Sequence, residues 1–561
     1  MRRTKLPIVG AVALLALSVA VTGASGGGAQ AAQPTVDYLV LVEEGASRDA
    51  AVAAVHRAGG VVTEENTGVG LLAVTGPANG FVLDVAASDA VAGATHARPV
   101  GRVPDAKPVA AEQLPTGTPR PAEAAPGMDP LDGQLWGLSM VRADLARDHQ
   151  PGHRGVYVGV LDTGIDGNHP DLRANFNRQL SRNFAKDIPE LDGPCEFVGC
   201  LDPADRDDDG HGSHVAGTLA AAADGFGVSG VAPNVTLVNI RGGQDSGFLF
   251  VKPVVDALTY GSDIGLDVIN MSFFIDPWLF NCPANPADTP EQQIEQRTTI
   301  ESVQRALDYA HGRGVTLVSS MGNTHEDLGR PRTDVRSPNY PPGAAHPRPI
   351  DNATCLKMPT EGNHVLPVVA LGPSQAKADR SNYGVEQTAL SAPGGYFKDG
   401  FGTPWYETNE NKILSTYPHN VAVALGDVDA AGNVTPQGQA AGVQKYCKTG
   451  VCGYYRFLEG TSMASPHASG VAALTVSEYG VPDPRRPGTL ALSPDKVQRI
   501  LFGTAHKVPC PTPRTVSYEH LGHPAEFNAT CEGDLSFNGF YGHGTVDAFA
   551  AVTRGKDHLE D

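Results

Sequence analysis

Short runs rich in β-branched residues recur along the chain from Asp129 onward, separated by longer stretches with helical spacing. The runs are 155–161 (GVYVGVL), 235–240 (VTLVNI), 267–271 (DVINM), 315–319 (VTLVS) and 366–371 (LPVVAL). They lack the polar alternation of a half-solvated strand, so both faces must be covered. Helical stretches at 211–223, 254–263 and 300–312 lie between them. Buried strands alternating with helices predict an α/β fold: a doubly wound, mainly parallel sheet with helices on both faces. Ligands of such sheets gather outside the C-terminal strand ends, where strand order reverses.

The chain before this region divides in three. Arg2, Arg3 and Lys5 precede an uncharged, mostly apolar run to about Thr22, and Ala29-Gln30-Ala31 supplies a small-residue cleavage site. That order predicts a secretory signal peptide over 1–31 and an extracellular, secreted product. A membrane anchor is disfavoured by the short apolar run, by Pro7 and Gly10, and by the small-residue tail; no later stretch is apolar enough to span a bilayer. Residues 34–103 read as a small α+β unit, with strands at 38–42, 70–74 and 94–100 and helices at 48–58 and 82–87, a ferredoxin-like β-α-β-β-α-β order. It lacks cysteine and any cluster of catalytic residue types, as a pro-domain would. Residues 104–128 are rich in Pro and Ala without periodicity, a linker open to processing. The LPTGT inside it lies mid-chain and is no sorting signal. The main domain is expected over 129–552, with a C-terminal tail at 553–561.

Acidic residues outnumber Lys and Arg by 62 to 42, a net charge of −20. Phosphate backbones would be repelled, which disfavours a nucleic-acid partner. All eight cysteines fall between Cys195 and Cys531. An even count in an exported chain predicts disulfides, although roughly a hundred connectivities are open. Four local pairs are the simplest: Cys195–Cys200, Cys282–Cys355, Cys447–Cys452 and Cys510–Cys531. Each would add at most about 2–4 kcal/mol, less for the shortest loops. The spacings do not suit a thiolate metal site.

Three segments carry chemistry. In 160–166 (VLDTGID) a carboxylate, Asp162, follows a buried strand, where it can be held rigidly to orient an imidazole. In 210–218 (GHGSHVAGT) His211 opens a helix amid small residues. In 460–467 (GTSMASPH) Ser462 opens a second helix, and small neighbours let a substrate backbone approach. A serine hydroxyl is a poor nucleophile until an adjacent base takes its proton, and the base must be held in one tautomer. Asp, His and Ser supply orienter, base and nucleophile, in the chain order of subtilisin.

These segments, together with DVINMS (267–272), GN (322–323), SNYG (381–384), SAPG (391–394), LSPDKVQRILFGTA (492–505) and YGHGTVDAFAAV (541–552), resemble subtilisin-like serine peptidases from about Asp129 to Val552. The unit at 34–103 is similar to the family's inhibitor and chaperone pro-domain. The resemblance implies a secreted serine endopeptidase made as a zymogen, acting on protein or peptide substrates through an acyl-enzyme. Asp162, His211 and Ser462 would be its catalytic residues. Asn323, with the Ser462 backbone N–H, would form the oxyanion hole. Ser246, Gly247 and Phe248 would supply one edge strand for extended substrate; Ser272, Phe273 and Phe274, beside Gly322, would supply the other. The chain's own pro-domain would be its intramolecular inhibitor, the enzyme a monomer with no membrane partner after signal removal, and no cofactor would be needed for chemistry. Structural calcium is an expectation of the resemblance, and Asp207–Asp209 is one place for it. Asp166, His214, His467, Ser213, Thr461 and Ser465 read as structural. The chain departs from the family where glycines give way to Phe273-Phe274-Ile275-Asp276-Pro277, and in insertions at 276–299 and 395–459.

Two other classes compete. An inactive, peptidase-shaped binding protein is disfavoured because all three triad residue types and Asn323 are present. A hydrolase of small esters on the α/β-hydrolase scaffold needs G-x-S-x-G and the order Ser…Asp…His, neither of which this chain has.

Overall fold

The structure, a computed structural model, describes residues 34–97, 129–330 and 332–559. The signal segment 1–31, the linker 104–128 and the end of the small N-terminal unit lie outside them. That unit comprises β1 (Thr35–Val42), α1 (Arg48–Arg57), β2 (Val61–Asn66), β3 (Leu71–Pro77), α2 (Phe81–Ala86) and β4 (Val91–His96). Its antiparallel sheet has the order β2-β3-β1-β4, the ferredoxin-like arrangement. Period-2 alternation makes β1 two-sided. Tyr38, Val40 and Val42 pack on Ala51, Val55, Phe81 and Val85 of the unit's own helices. Leu39 and Leu41 join a different core, shared with two helices of the main domain. Two details differ from expectation. The last strand ends at His96, and 98–100 lie outside the described residues. The strand β2 carries no hydrophobic alternation because most of its residues are half or fully exposed at the sheet edge.

The main domain is built on seven parallel strands. In chain order they are β5 (Tyr157–Leu161), β6 (Arg182–Asn183), β7 (Thr236–Arg241), β8 (Val268–Met271), β9 (Thr316–Ser320), β10 (Val365–Leu371) and β11 (Leu390–Pro393). In space they run β11-β10-β9-β8-β5-β7-β6. The chain leaves β5 for one edge, returns, and crosses to β8 on the other side, so the order reverses at β5. Val158, Val160, Val268 and Val318 face one layer, which holds α3 (His211–Ala220). Ile240, Ile269 and Leu317 face the other, which holds α4 (Val251–Ile264) and α5 (Pro290–Gly312). The long helix α6 (Thr461–Tyr479) is buried from Thr461 through Ser477. A helix apolar or small on every side is a core element.

Both insertions have structural roles. Residues 290–299 are the first turns of α5, begun by a Thr289–Gln292 capping box with Pro290 at the first position. They meet the N-terminal unit: Thr298 Oγ1 donates to Ala94 O at 3.3 Å, and Glu295 pairs with His96. Further along α5, Arg305 Nη1 donates to Val42 O at 2.7 Å. On α4, Asp256 and Thr259 accept from Asn66 at 2.8 and 2.9 Å. The 395–459 insertion forms an antiparallel sheet of 413–417, 443–448 and 451–458. It backs α3, where His214 Nε2 meets Ile413 O and Arg456 O, each at 3.0 Å. The chain closes with the helix Ala548–Arg554 and a short turn, Gly555–His558, packed near the helix Pro494–Thr504. All four expected disulfides are present and no cysteine is free. Among the described residues, no helix is long and apolar enough to cross a membrane.

Candidate active site

Strand ends converge on one cleft of about 550 Å³. Asp162 follows β5, Ser272 follows β8, and Gly322-Asn323 follow β9. His211 is the first residue of α3 and Ser462 the second of α6. Every residue expected at the site lines this cleft: Asp162, His211, Ser462, Asn323, Ser246, Gly247, Phe248, Ser272, Phe273, Phe274 and Gly322.

Asp162 is 1% exposed. Its Oδ1 accepts from Thr163 N at 2.8 Å and lies 2.7 Å from His211 Nδ1. That contact fixes the imidazole with Nδ1–H toward the carboxylate and Nε2 free. The short distance between loop and helix requires Gly212, since a Cβ there would lie 2.1 Å from Gly164 O. Asp207 ties the same elements together, accepting from Gly210 N (2.9 Å), Ser213 N (2.9 Å), Ser213 Oγ (2.7 Å) and Thr163 Oγ1 (3.1 Å). Burial alone lowers the His211 pKa. The negative charges of Asp162, Asp209 and Asp207 outweigh it and carry the value up to about 9. The other two histidines of these motifs stay neutral: burial pushes His214 down to about 3 and His467 to about 4.

The start of α6 is locked to the strand ends. Pro466 has no N–H to give the Ser462 carbonyl, which accepts from Ser272 Oγ at 3.1 Å instead. Ser272 Oγ also contacts Ser465 Oγ at 2.7 Å and accepts from Asn270 Nδ2 at 2.9 Å. The Ser462 hydroxyl donates to Ser272 O at 3.2 Å and is not hydrogen-bonded to His211. Catalytic hydrogen bonds are often made only once substrate is bound. Asn323 Oδ1 accepts from Thr461 N (2.8 Å) and Thr461 Oγ1 (3.1 Å), which fixes the side-chain amide beside the start of α6 and leaves its N–H₂ without a hydrogen bond to any described residue. Asn382 shapes that loop: Oδ1 accepts from Thr324 N and Glu326 N at 3.1 and 2.8 Å, and Nδ2 donates to Met321 O at 3.0 Å.

Two expectations need correction. Residues Ser246–Phe248 do not form an edge strand, and neither do Ser272–Phe274, which leave the end of β8 as irregular chain. Gln244 N donates to Phe248 O at 2.8 Å and Gly247 N to Gln244 O at 3.0 Å, closing a turn in which Gly247 has φ 83°. The acidic run Asp207–Asp209 does not act together as one cation site; only Asp208 joins a group of converging carboxylates, with Asp202 and Asp245. Asp207 is spent as above, Asp208 pairs twice with Arg206 at 2.6 Å, and Asp209 Oδ1 accepts from His211 N at 3.0 Å. Better donors lie elsewhere. One oxygen each of Asp187, Glu196 and Asp202 fall within 4.8 Å of one another. Neither oxygen of buried Asp187 nor Oδ1 of buried Asp202 is hydrogen-bonded. Their hard, anionic oxygens fit calcium, although Arg241 Nη2 already stands 3.6 Å from Asp187.

The cleft also holds residues that no motif marks: Asp209, Asp276, Arg336, Asn339, Lys357 and Arg380. Most stand on irregular chain, without a periodic signal.

Residues 153–544 match Peptidase S8, the Subtilase family. Subtilisin DY of Bacillus licheniformis is 27% identical over 346 residues, covering 61% of this chain and 85% of its own. The thermostable alkaline protease of Halalkalibacterium halodurans is 26% identical over 344 residues, 61% of this chain and 63% of its own. Among solved structures, the epidermin leader peptide processing serine protease of Staphylococcus aureus superposes with a TM-score of 0.59 at 18% identity, over 92% of this chain and 98% of its own, a likeness of fold.

Proposed function

The chain belongs to the subtilase family and is a serine-type endopeptidase, and from that premise we propose that it is a secreted enzyme using Asp162, His211 and Ser462 through an acyl-enzyme. The observation that carries this reading is the 2.7 Å contact of Asp162 Oδ1 with His211 Nδ1, in the same cleft as the Ser462 hydroxyl and the free Asn323 amide. The Ser462 hydroxyl leaves Ser272 O and turns to His211 Nε2, which takes its proton as the oxygen attacks the scissile carbonyl. Asn323 Nδ2 and the Ser462 N–H hold the resulting oxyanion. His211 then gives the proton to the departing amine, and water resolves the acyl-enzyme with the same base. No metal enters these steps; Asp187, Glu196 and Asp202 are the residues suited to a structural calcium.

The unit at 34–97 is proposed to be a pro-domain that assists folding and holds the enzyme inactive until cleaved. Its use of Leu39 and Leu41 to cover α4 and α5 supports that role. The proposed division is signal 1–31, pro-domain 34–103, linker 104–128, peptidase domain 129–552 and tail 553–561. A fluorophosphonate probe should label Ser462 in the mature enzyme and nothing in Ser462→Ala. The Ser462→Ala precursor, purified alone, should keep its N-terminal unit. Absence of labelling in an enzyme that hydrolyses casein would overturn the catalytic assignment, and loss of the unit from the variant would overturn self-processing.

A further inference from the structure

Among the cleft residues outside the reacting group, Lys357 stands apart. It is 2% exposed yet lines the cleft. Its Cε lies 2.8 Å from where a Cβ on Gly322 would stand, a position that the Asn382 amide also approaches, and its ammonium sits 4.5 Å from the centre of the Phe274 ring. The backbone around it is fixed: Lys357 N donates to Glu361 Oε2 at 2.8 Å, Met358 O accepts from Ile275 N at 3.1 Å, and Cys355 is bonded to Cys282. The ammonium has neither a hydrogen bond nor an ion pair with any described residue.

Other buried cations are treated differently. Lys377 is equally buried, and its Nζ donates to Ala378 O and Ser381 O, each at 2.9 Å. Arg241 and Arg348 are fully buried and paired with carboxylates. The acids closest in effect to Lys357 accept from other groups: Asp276 from Leu249 N and Asn339, Glu361 Oε2 from Lys357 N, and Asp334 Oδ2 from Arg348. Burial pulls the Lys357 pKa down to about 8, against the charges of Glu361, Asp276 and Asp334, so the group is still a cation at pH 7. Arg336 and Arg380, exposed on the same cleft, add positive charge. A cation held only against an aromatic face, with no hydrogen bond or ion pair, is poised for an anionic ligand.

We propose that Lys357 is the specificity-determining residue of the cleft, and that it takes the carboxylate of a glutamate or aspartate whose own carbonyl is presented to Ser462. Phe274 then packs on the methylenes of that side chain, and the cation supplies the charge-assisted contact that a neutral amide cannot match. The inference rests on the catalytic reading above.

The test uses the mature enzyme and fluorogenic peptides that differ only in the residue before the scissile bond: Glu, Gln, Leu or Lys. The expected result is a kcat/KM for Glu about 10- to 100-fold above its isostere Gln, with Lys poorest. In Lys357→Met the Glu-to-Gln ratio should fall toward one, and in Lys357→Glu the Lys peptide should overtake the Glu peptide. Mapping the cut sites of wild-type enzyme on casein gives a readout independent of any variant and should show acidic residues before the cut. Equal cleavage of Glu and Gln peptides by an enzyme whose Ser462 is labelled by fluorophosphonate overturns this proposal alone. Failure of both cleavage and labelling overturns the catalytic reading with it.

Discussion

Asp162 and His211 reach the cleft from the end of a buried strand and the start of a helix. Phe273, Phe274, Asp276, Arg336 and Lys357 reach it from irregular chain held by a disulfide and scattered hydrogen bonds. The first group is positioned by elements that the core must form anyway. The second depends on long connections that the core does not dictate. The difference separates making the reaction from choosing what reacts: the first can stay fixed while the second changes with little cost to the sheet.

If that division holds, damage to the first group should abolish turnover, and damage to the second should redistribute it. Asp162→Asn should lower kcat by about four orders of magnitude, the size established for the corresponding carboxylate in subtilisin itself. The fold should survive, because the asparagine still fills the pocket beside Thr163; steady-state kinetics with circular dichroism check both halves. Asn323→Ala should cost about 10²–10³ in kcat with KM little changed, again the magnitude known for subtilisin's oxyanion asparagine. In contrast, Cys282→Ala with Cys355→Ala should leave the triad intact and loosen the chain on either side of Lys357. The pair closes a sequence separation of 73 residues, so its loss should cost about 2–4 kcal/mol of stability. Thermal unfolding should report that loss, and KM should rise by a larger factor than kcat falls. A kcat collapse with unchanged KM would erase the proposed division.

What could be read in the sequence follows the same line. Val158, Val160, Ile269 and Val318 announce strands because a sheet covered on both faces admits little else. The motifs around Asp162, His211 and Ser462 are legible because small residues such as Gly212 are forced by close contacts that a side chain would block. Lys357 carries no such mark. It lies in an irregular stretch between Asn323 and β10, and its partners, Gly322 and Phe274, are remote in sequence. The strand β2 was hidden for a different reason: an edge strand facing water needs no apolar alternation. The first turns of α5 left a usable signal, Thr289-Pro290-Glu291-Gln292, a capping box with proline at the first helical position. It marks 290–299 as the opening of a helix.

The smallest expected effect tests whether the two groups are electrostatically separable. Asp209 lines the cleft and caps the His211 backbone N–H at 3.0 Å, and its charge is one of those raising His211 from 6.5 to about 9. Below that pKa the imidazole is an imidazolium and cannot accept the Ser462 proton, so kcat/KM should climb through neutral pH toward an alkaline plateau. Asp209→Asn keeps the size of the side chain and its amide oxygen while removing a negative charge, so the acid limb should move to lower pH. Each unit of displacement raises activity at pH 7 by about tenfold. Stability should respond in the opposite sense. A histidine pKa raised on folding stabilises the fold fully below about 6.5 and ceases to do so as pH rises through about 9. Removing the Asp209 charge should therefore lower the unfolding temperature at pH 6 more than at pH 10. A kcat/KM profile that keeps its acid limb in Asp209→Asn would mean that Asp162 and Asp207 set the base without Asp209, and that Asp209 serves only to hold the start of α3.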